Sequence, residues 1–300
     1  MPKVLWRKRV ALCVAAGLVF AGPAAALVPS PGCQTAAAGI PPRAPGAVSG
    51  RDFAERVAGL EGAARDAEVR AELFDGDLPQ RLRHLSPVTL SGRSSQGRPV
   101  DITFCVMPDY LAVGSDADSL LVPMGLPTAL QVATRYGLVL PTPHLVDAIY
   151  EAATVKLVPE PLPAGDQMRT TAYVVRHDDL IARQRAAQHA PQDALTAGHK
   201  KDLVLTDRLL RVPGRVAIYG WHRASGQPIQ PLSTVHGAGY ADYSHGVRLV
   251  GRTVYVNGTG RSIDEVLSDP DLAGVLADEG APVGLDGHGV VSVLQQRKPR

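Results

Sequence analysis

Val100-Asp101-Ile102-Thr103-Phe104-Cys105-Val106 alternates apolar and polar side chains residue by residue, the period of a strand with one buried and one wet face. Upstream the period is different. Phe53, Val57, Leu60, Ala64 and Ala67 recur at three- and four-residue steps with charges between them, which predicts one helix over 52–73, ended by Gly76 and Pro79. A short helix is expected over 80–85. Downstream, the turn at Pro108-Asp109 makes 110–114 the expected hairpin partner of the alternating strand. Residues 127–136 and 143–153 read as helices, each with a Thr beside the proline that opens it, and 172–188 reads as a third. From Lys201 onward the chain turns to sheet, with strand-like runs at 203–205, 215–219, 247–250 and 253–256. Helices first and strands later predict an α+β fold. N-terminal helices would pack on a largely antiparallel sheet formed mainly by the C-terminal half, with the 52–73 helix outside it.

The chain has 300 residues and a formal charge of +2. Its start reads as an address. Lys3, Arg7, Lys8 and Arg9 precede an apolar run over 10–20, and Ala24-Ala25-Ala26 follows, the three-part order of a secretory signal cleaved near Ala26. The run is too short for a permanent membrane anchor. Removing those four cations from +2 leaves about −2 for the mature chain. Residues 27–50, rich in Pro, Ala and Gly, read as a flexible tether, and 51–300 as a single domain. The expected location is secreted or periplasmic. No basic stripe with interleaved aromatics is present, so nucleic acid is not an expected partner; Arg297, Lys298 and Arg300 read as a solvated tail. Cys33 and Cys105 remain after cleavage. They are read as a disulfide pair in an oxidising compartment, with an inert buried Cys105 or a nucleophilic one as the alternatives.

Chemistry concentrates in Val235-His236-Gly237-Ala238-Gly239-Tyr240-Ala241-Asp242-Tyr243-Ser244-His245-Gly246-Val247-Arg248-Leu249. Imidazoles change charge near neutral pH, a serine becomes nucleophilic when a base takes its proton, and an aspartate can orient the base. His236, Asp242, Ser244 and His245 are therefore the candidate catalytic groups. Trp221, His222, Tyr243 and Arg248 are candidate substrate-binding groups, Arg248 through negative charge. Adjacent strand residues face opposite ways, so His236 rather than His245 is the expected partner of Ser244. Other polar residues read as structure: Lys200 and Lys201 as solvated charges, His144 and Asp147 as helix capping and packing, Asn257-Gly258-Thr259 as a turn. Asp116 and Asp118 lack the further ligands of a metal loop. No HExxH pair, phosphate loop or GxSxG elbow occurs, so no metal or cofactor is expected, nor an ordinary α/β-hydrolase. Two functions fit: an exported hydrolase acting on an envelope polymer or other extracellular glycan or peptide, or a non-catalytic carbohydrate- or anion-binding envelope protein.

Gly198-His199-Lys200-Lys201-Asp202, Tyr219-Gly220-Trp221-His222, Pro228-Ile229-Gln230-Pro231-Leu232 and Asp242-Tyr243-Ser244-His245-Gly246 together resemble a group of exported bacterial proteins of unknown function, across most of residues 51–280. Locally, His236-Gly237 followed by Ser244-His245-Gly246-Val247-Arg248 resembles the signature of L,D-transpeptidase catalytic domains. That signature has a cysteine nucleophile where Val247 stands, and a longer interval between its histidines. The resemblance implies two histidines and an arginine arranged around a small anionic substrate, without transpeptidation.

Overall fold

The computed structural model describes residues 33–277; the expected signal and the basic tail lie outside them. In chain order the main helices are α1 (Gly50–Arg56), α2 (Gly62–Phe74), α3 (Leu126–Tyr136), α4 (Pro143–Ala152) and α5 (Thr171–Ala187), with short α6 (Arg208–Arg211), α7 (Ile263–Ser268) and α8 (Ala273–Leu276). The strands are β1 (Ser86–Arg93), β2 (Pro99–Val106), β3 (Ala112–Gly114), β4 (Ser119–Leu121), β5 (Leu138–Val139), β6 (Val155–Lys156) and β7 (Thr196–Ala197), then β8 (Lys201–Leu203), β9 (Ile218–His222), β10 (Pro228–Ser233), β11 (His245–Gly246), β12 (Val250–Val256) and β13 (Thr259–Ser262). The protein is an α+β fold with mostly antiparallel pairing. Among the described residues no helix is long and apolar enough to cross a membrane.

β2 is the alternating strand. Val100, Ile102 and Phe104 point into the core, while Asp101 stays outside. Both of its edges are occupied, by β1 in register from Ser86↔Val106 to Arg93↔Pro99 and by β12 across a bulge between Val250 and Val254. The 110–114 segment therefore has no edge to join. It turns back instead, so that β3 pairs with β4. β12 continues into β13 through Asn257 (φ 47°) and Gly258 (φ 84°), two consecutive positive φ angles that suit a tight hairpin.

The strands of 201–256 do not form one sheet. β12 joins β1, β2, β5 and β13 in a five-stranded sheet, whereas β10-β9-β8-β11 is a second, four-stranded sheet with β8 and β11 parallel. The helix expected over 52–73 is two helices. The chain leaves α1 at Val57, passes Gly59 and restarts after an extended Glu61, with Gly62 at φ 52°, a backbone conformation that glycine adopts without steric cost. α1 packs against β3 and β4, and α2 against α3, so neither covers the larger sheet as expected. The helices expected at 127–136, 143–153 and 172–188 are α3, α4 and α5, started by Pro127 in the first turn of α3 and by the Thr142 and Thr170 caps of the others.

Residues 33–49, expected as part of a tether, lie against the domain. A disulfide joins Cys33 to Cys105 on β2. Ile40 is buried, Arg43 pairs with Asp77 at 2.6 Å, and the Arg83 guanidinium donates to the carbonyls of Ile40 and Pro41. Buried apolar residues from Cys33 to Ala277 form one connected core.

Candidate functional site

The four-stranded sheet places the chemistry. β11 lies beside β8 with His245 opposite Lys201 and Gly246 opposite Asp202, so the Lys201 and His245 side chains emerge on the same face. On the other side of β8, Lys201 faces Gly220 of β9, where no side chain intervenes. The loop before β11 crosses this end of the sheet, bringing His236, Tyr240 and Asp242 to Lys201 and His245.

Asp242 is the hub. Its Oδ1 accepts from the backbone N–H of Ser244 at 2.8 Å and from Ser244 Oγ at 2.6 Å, and its Oδ2 accepts from Tyr240 OH at 3.1 Å. His245 Nε2 stands 3.8 Å from that Oδ2, outside hydrogen-bond range. Burial opposes the charge on Asp242, yet the neighbouring His245, the two donors from Ser244 and Lys201 outweigh it and hold the carboxyl below its ordinary range. Burial also lowers the His245 imidazole to about 4, against the pull of Asp242. The pair is thus a carboxylate beside a neutral imidazole at neutral pH. Burial and then Asp242 raise the Tyr240 phenol to about 12, so it remains a donor. The Tyr240 ring stacks on His236, with centroids 4.0 Å apart and planes 9° apart, and meets His245 edge-on. His236 and Tyr240 are half-buried, whereas Asp242, Ser244 and His245 are buried.

Beneath this cluster lies a layer of buried charges from distant parts of the chain. Lys200, 1% exposed, donates to the carbonyl of Tyr243 at 2.6 Å and meets His177 Nδ1 at 3.1 Å; burial lowers its ammonium to about 8 despite Asp178, Asp242 and Asp109. Lys201 is partly buried, its Nζ 5.0 Å from the centre of the Trp221 ring. Neither lysine is the solvated charge that the sequence reading expected, because Lys200 leads into and Lys201 begins β8, an inner strand of this sheet. Asp109 accepts from Arg185 and holds His199 at 3.0 Å. Burial opposes its charge, but His199, Arg185 and Arg248 prevail and hold the carboxyl far below the usual range.

The expected site residues do not all share one place. His236, Asp242, Ser244 and His245 come together, with Tyr240 and Lys201 added. Ser244 does not meet His236: its hydroxyl is buried and bonded to Asp242. Arg248 lies elsewhere, fully buried against the Tyr110 ring at 4.3 Å and bonded to the carbonyls of Met107 and Thr196. Tyr243 is a packing residue whose OH bonds the backbone of Leu162. His222 faces a separate pocket of about 400 Å³ between α4 and the β9–β10 hairpin. There its Nε2 meets Asp147 at 2.8 Å, Tyr219 donates to the second Asp147 oxygen, and Tyr150 stacks on the imidazole. Asp147, read from sequence as capping or packing, is thus the partner of His222.

Lys201, Tyr240, Lys200 and His177 were not singled out for this site. Gly198-His199-Lys200-Lys201-Asp202 was the available signal, as a dense polar run at the start of a strand. Among the described residues no group of three or more His, Cys, Asp or Glu side chains is placed to hold a metal ion. Comparison with family models, curated proteins and solved structures finds no match.

Proposed function

We propose that the protein is an exported hydrolase acting on an envelope polymer, a glycan or a peptide, with its site at His236, Tyr240, Asp242, His245 and Lys201. The observation that carries this reading is a half-exposed imidazole mounted on a tyrosine that a buried carboxylate fixes in place. Asp242 orients Tyr240 through its OH, and Tyr240 holds His236 face to face. His236 is the group a substrate can reach: it takes the proton from an attacking water and returns it to the leaving group, the general acid–base role of an imidazole. Ser244 is not the nucleophile in this scheme; it donates twice to Asp242 and so keeps that carboxylate ionised and oriented. The leader pattern and the Cys33–Cys105 bond support a secreted or periplasmic location with cleavage near Ala26, since disulfides persist in oxidising compartments.

The test is incubation of the secreted protein with isolated envelope material, reading new reducing ends against new amines. Asp242→Asn should lower turnover by ~10²-fold or more, while Ser244→Ala should stay within about tenfold of wild type, the loss of one hydrogen bond. Abolition by Ser244→Ala with an intact fold would restore serine as nucleophile and overturn the scheme.

A second reading, a non-catalytic anion-binding envelope protein, is favoured by Lys201, whose ammonium makes no hydrogen bond among the described residues. Binding without turnover would select it.

A further inference from the structure

Two buried side chains beside Lys201 have no hydrogen-bond partner. Trp221 Nε1 has no acceptor, and neither ring nitrogen of His245 has a hydrogen-bond partner, although the residues are only 4% and 1% exposed. Buried N–H groups are almost always paired, so orphans of this kind point to a missing partner. Lys201 lies by both of them, over the Trp221 ring and directly opposite His245 on the neighbouring strand. Trp221 is also held at φ 58°, next to Gly220 at φ 105°. Positive φ is an outlier for a bulky side chain, and here it fixes the indole beside Lys201. Lys201 makes no salt bridge among the described residues: Asp242 is the carboxylate that acts on it, and the Asp242 oxygens are already engaged by Ser244 and Tyr240.

We propose that Lys201, Trp221 and His245 form a binding site for a compact oxyanion, which accepts hydrogen bonds from the Lys201 ammonium, the Trp221 indole N–H and a His245 ring N–H. Such a group is offered by the free carboxylate of an envelope peptide or by a phosphate of an envelope polymer. The site deepens the hydrolase reading by placing an anionic end of the substrate beside Tyr240 and His236, and it rests on that reading only for its biological meaning. Arg248, the cation a sequence reading would assign to this task, is committed to backbone carbonyls, and Lys201 takes its place.

The indole N–H is its own reporter. The chain has two tryptophans, Trp6 and Trp221, so Trp221→Phe assigns the Trp221 indole resonance in an NMR spectrum of the ¹⁵N-labelled full chain. The probes are inorganic phosphate, N-acetyl-D-alanyl-D-alanine and the C-terminal amide of that dipeptide. A saturable downfield shift with phosphate alone identifies a phosphate-bearing ligand; a shift with the dipeptide but not its amide identifies a carboxylate. Lys201→Met should weaken binding by about tenfold or more, the scale of one charge-assisted hydrogen bond, and Lys201→Arg should restore most of it. No shift with either anion overturns the proposal, as does undiminished affinity in a folded Lys201→Met variant. Anion binding without any turnover on envelope material leaves this site standing and removes the hydrolase reading alone.

Discussion

Gly246 shows how tightly this site is built. A Cβ there would stand 2.6 Å from the Tyr110 ring and 2.9 Å from the Lys200 Cβ, so only glycine lets β11 lie this close to both. Tyr110 in turn donates to Asp202 at 2.8 Å and covers Arg248. His245 and Arg248, on either side of Gly246, therefore serve different purposes: one faces Lys201, the other is sealed beneath a tyrosine. The sequence reading grouped Arg248 with the histidines as a substrate-binding residue; the tyrosine that seals it away comes from residue 110 and was not legible. The same holds for Lys200. Its partners at 177, 178 and 243 are brought to it only by the fold. The burial of these imidazoles gives stability a definite pH dependence. His245 is lowered from 6.5 to about 4, and burial lowers His177 and His199 as well. Below about 6.5 the unfolded chain takes up protons that the folded chain refuses, so these groups destabilise the fold as pH falls toward 4. Asp178 and Asp202, raised by burial to about 6, act oppositely, binding protons in the folded chain between about 6 and 4. Denaturant unfolding of wild type and His245→Gln at pH 7 and pH 5 isolates one imidazole. The variant should lose less stability between the two pH values than wild type; an equal loss would show that His245 is protonated in the fold.

Among the elements, those with a strong local period were legible. The alternation at 100–106 is β2, and the proline- and threonine-marked starts give α3, α4 and α5 within two residues. Elements whose limits depend on tertiary pairing were not. The strand expected at 215–219 runs instead over Ile218–His222, because β9 is defined by its partners β8 and β10. The break between α1 and α2 was hidden by a run of apolar residues that keeps helical spacing through Leu60. The Cys33–Cys105 link is the element that binds the N-terminal segment to β2, closing 72 residues of sequence. In the chain-entropy account a loop of that size stabilises by about 4 kcal/mol. The Cys33→Ala/Cys105→Ala double variant should lose about that much in denaturant unfolding under oxidising conditions, with no change for the same variant measured against reduced wild type. A double variant as stable as oxidised wild type would mean that the segment is held by Ile40, Arg43 and Arg83 alone.

For the whole molecule, two sheets divide the labour. The five-stranded sheet with its helices provides the core, and the four-stranded sheet presents a layer of buried charge beneath a loop that carries the accessible groups. Buried ionised and imidazole groups cost free energy unless paired, and most here are paired. Several buried side chains among the described residues leave polar atoms unpaired, His199, Arg65 and Arg248 among them, but of these residues Trp221 and His245 are the ones with no side-chain hydrogen bond at all. The coincidence of these unmatched groups with the half-exposed His236 and Tyr240 supports the proposed site at this end of the molecule. The 235–249 segment drew attention from sequence through its density of histidines and glycines, whereas the way its side chains divide between cluster and core required the packing of Lys201, Tyr240 and Arg248. The most direct test is turnover on isolated envelope material by wild type and by His236→Ala. His236 is half-buried and stacked only on Tyr240, so the variant should keep the wild-type unfolding midpoint within the error of the measurement. The account predicts measurable release of soluble fragments by wild type and a loss of ~10²-fold or more in the variant, the scale of lost general acid–base catalysis. Full turnover in a folded His236→Ala protein would contradict it.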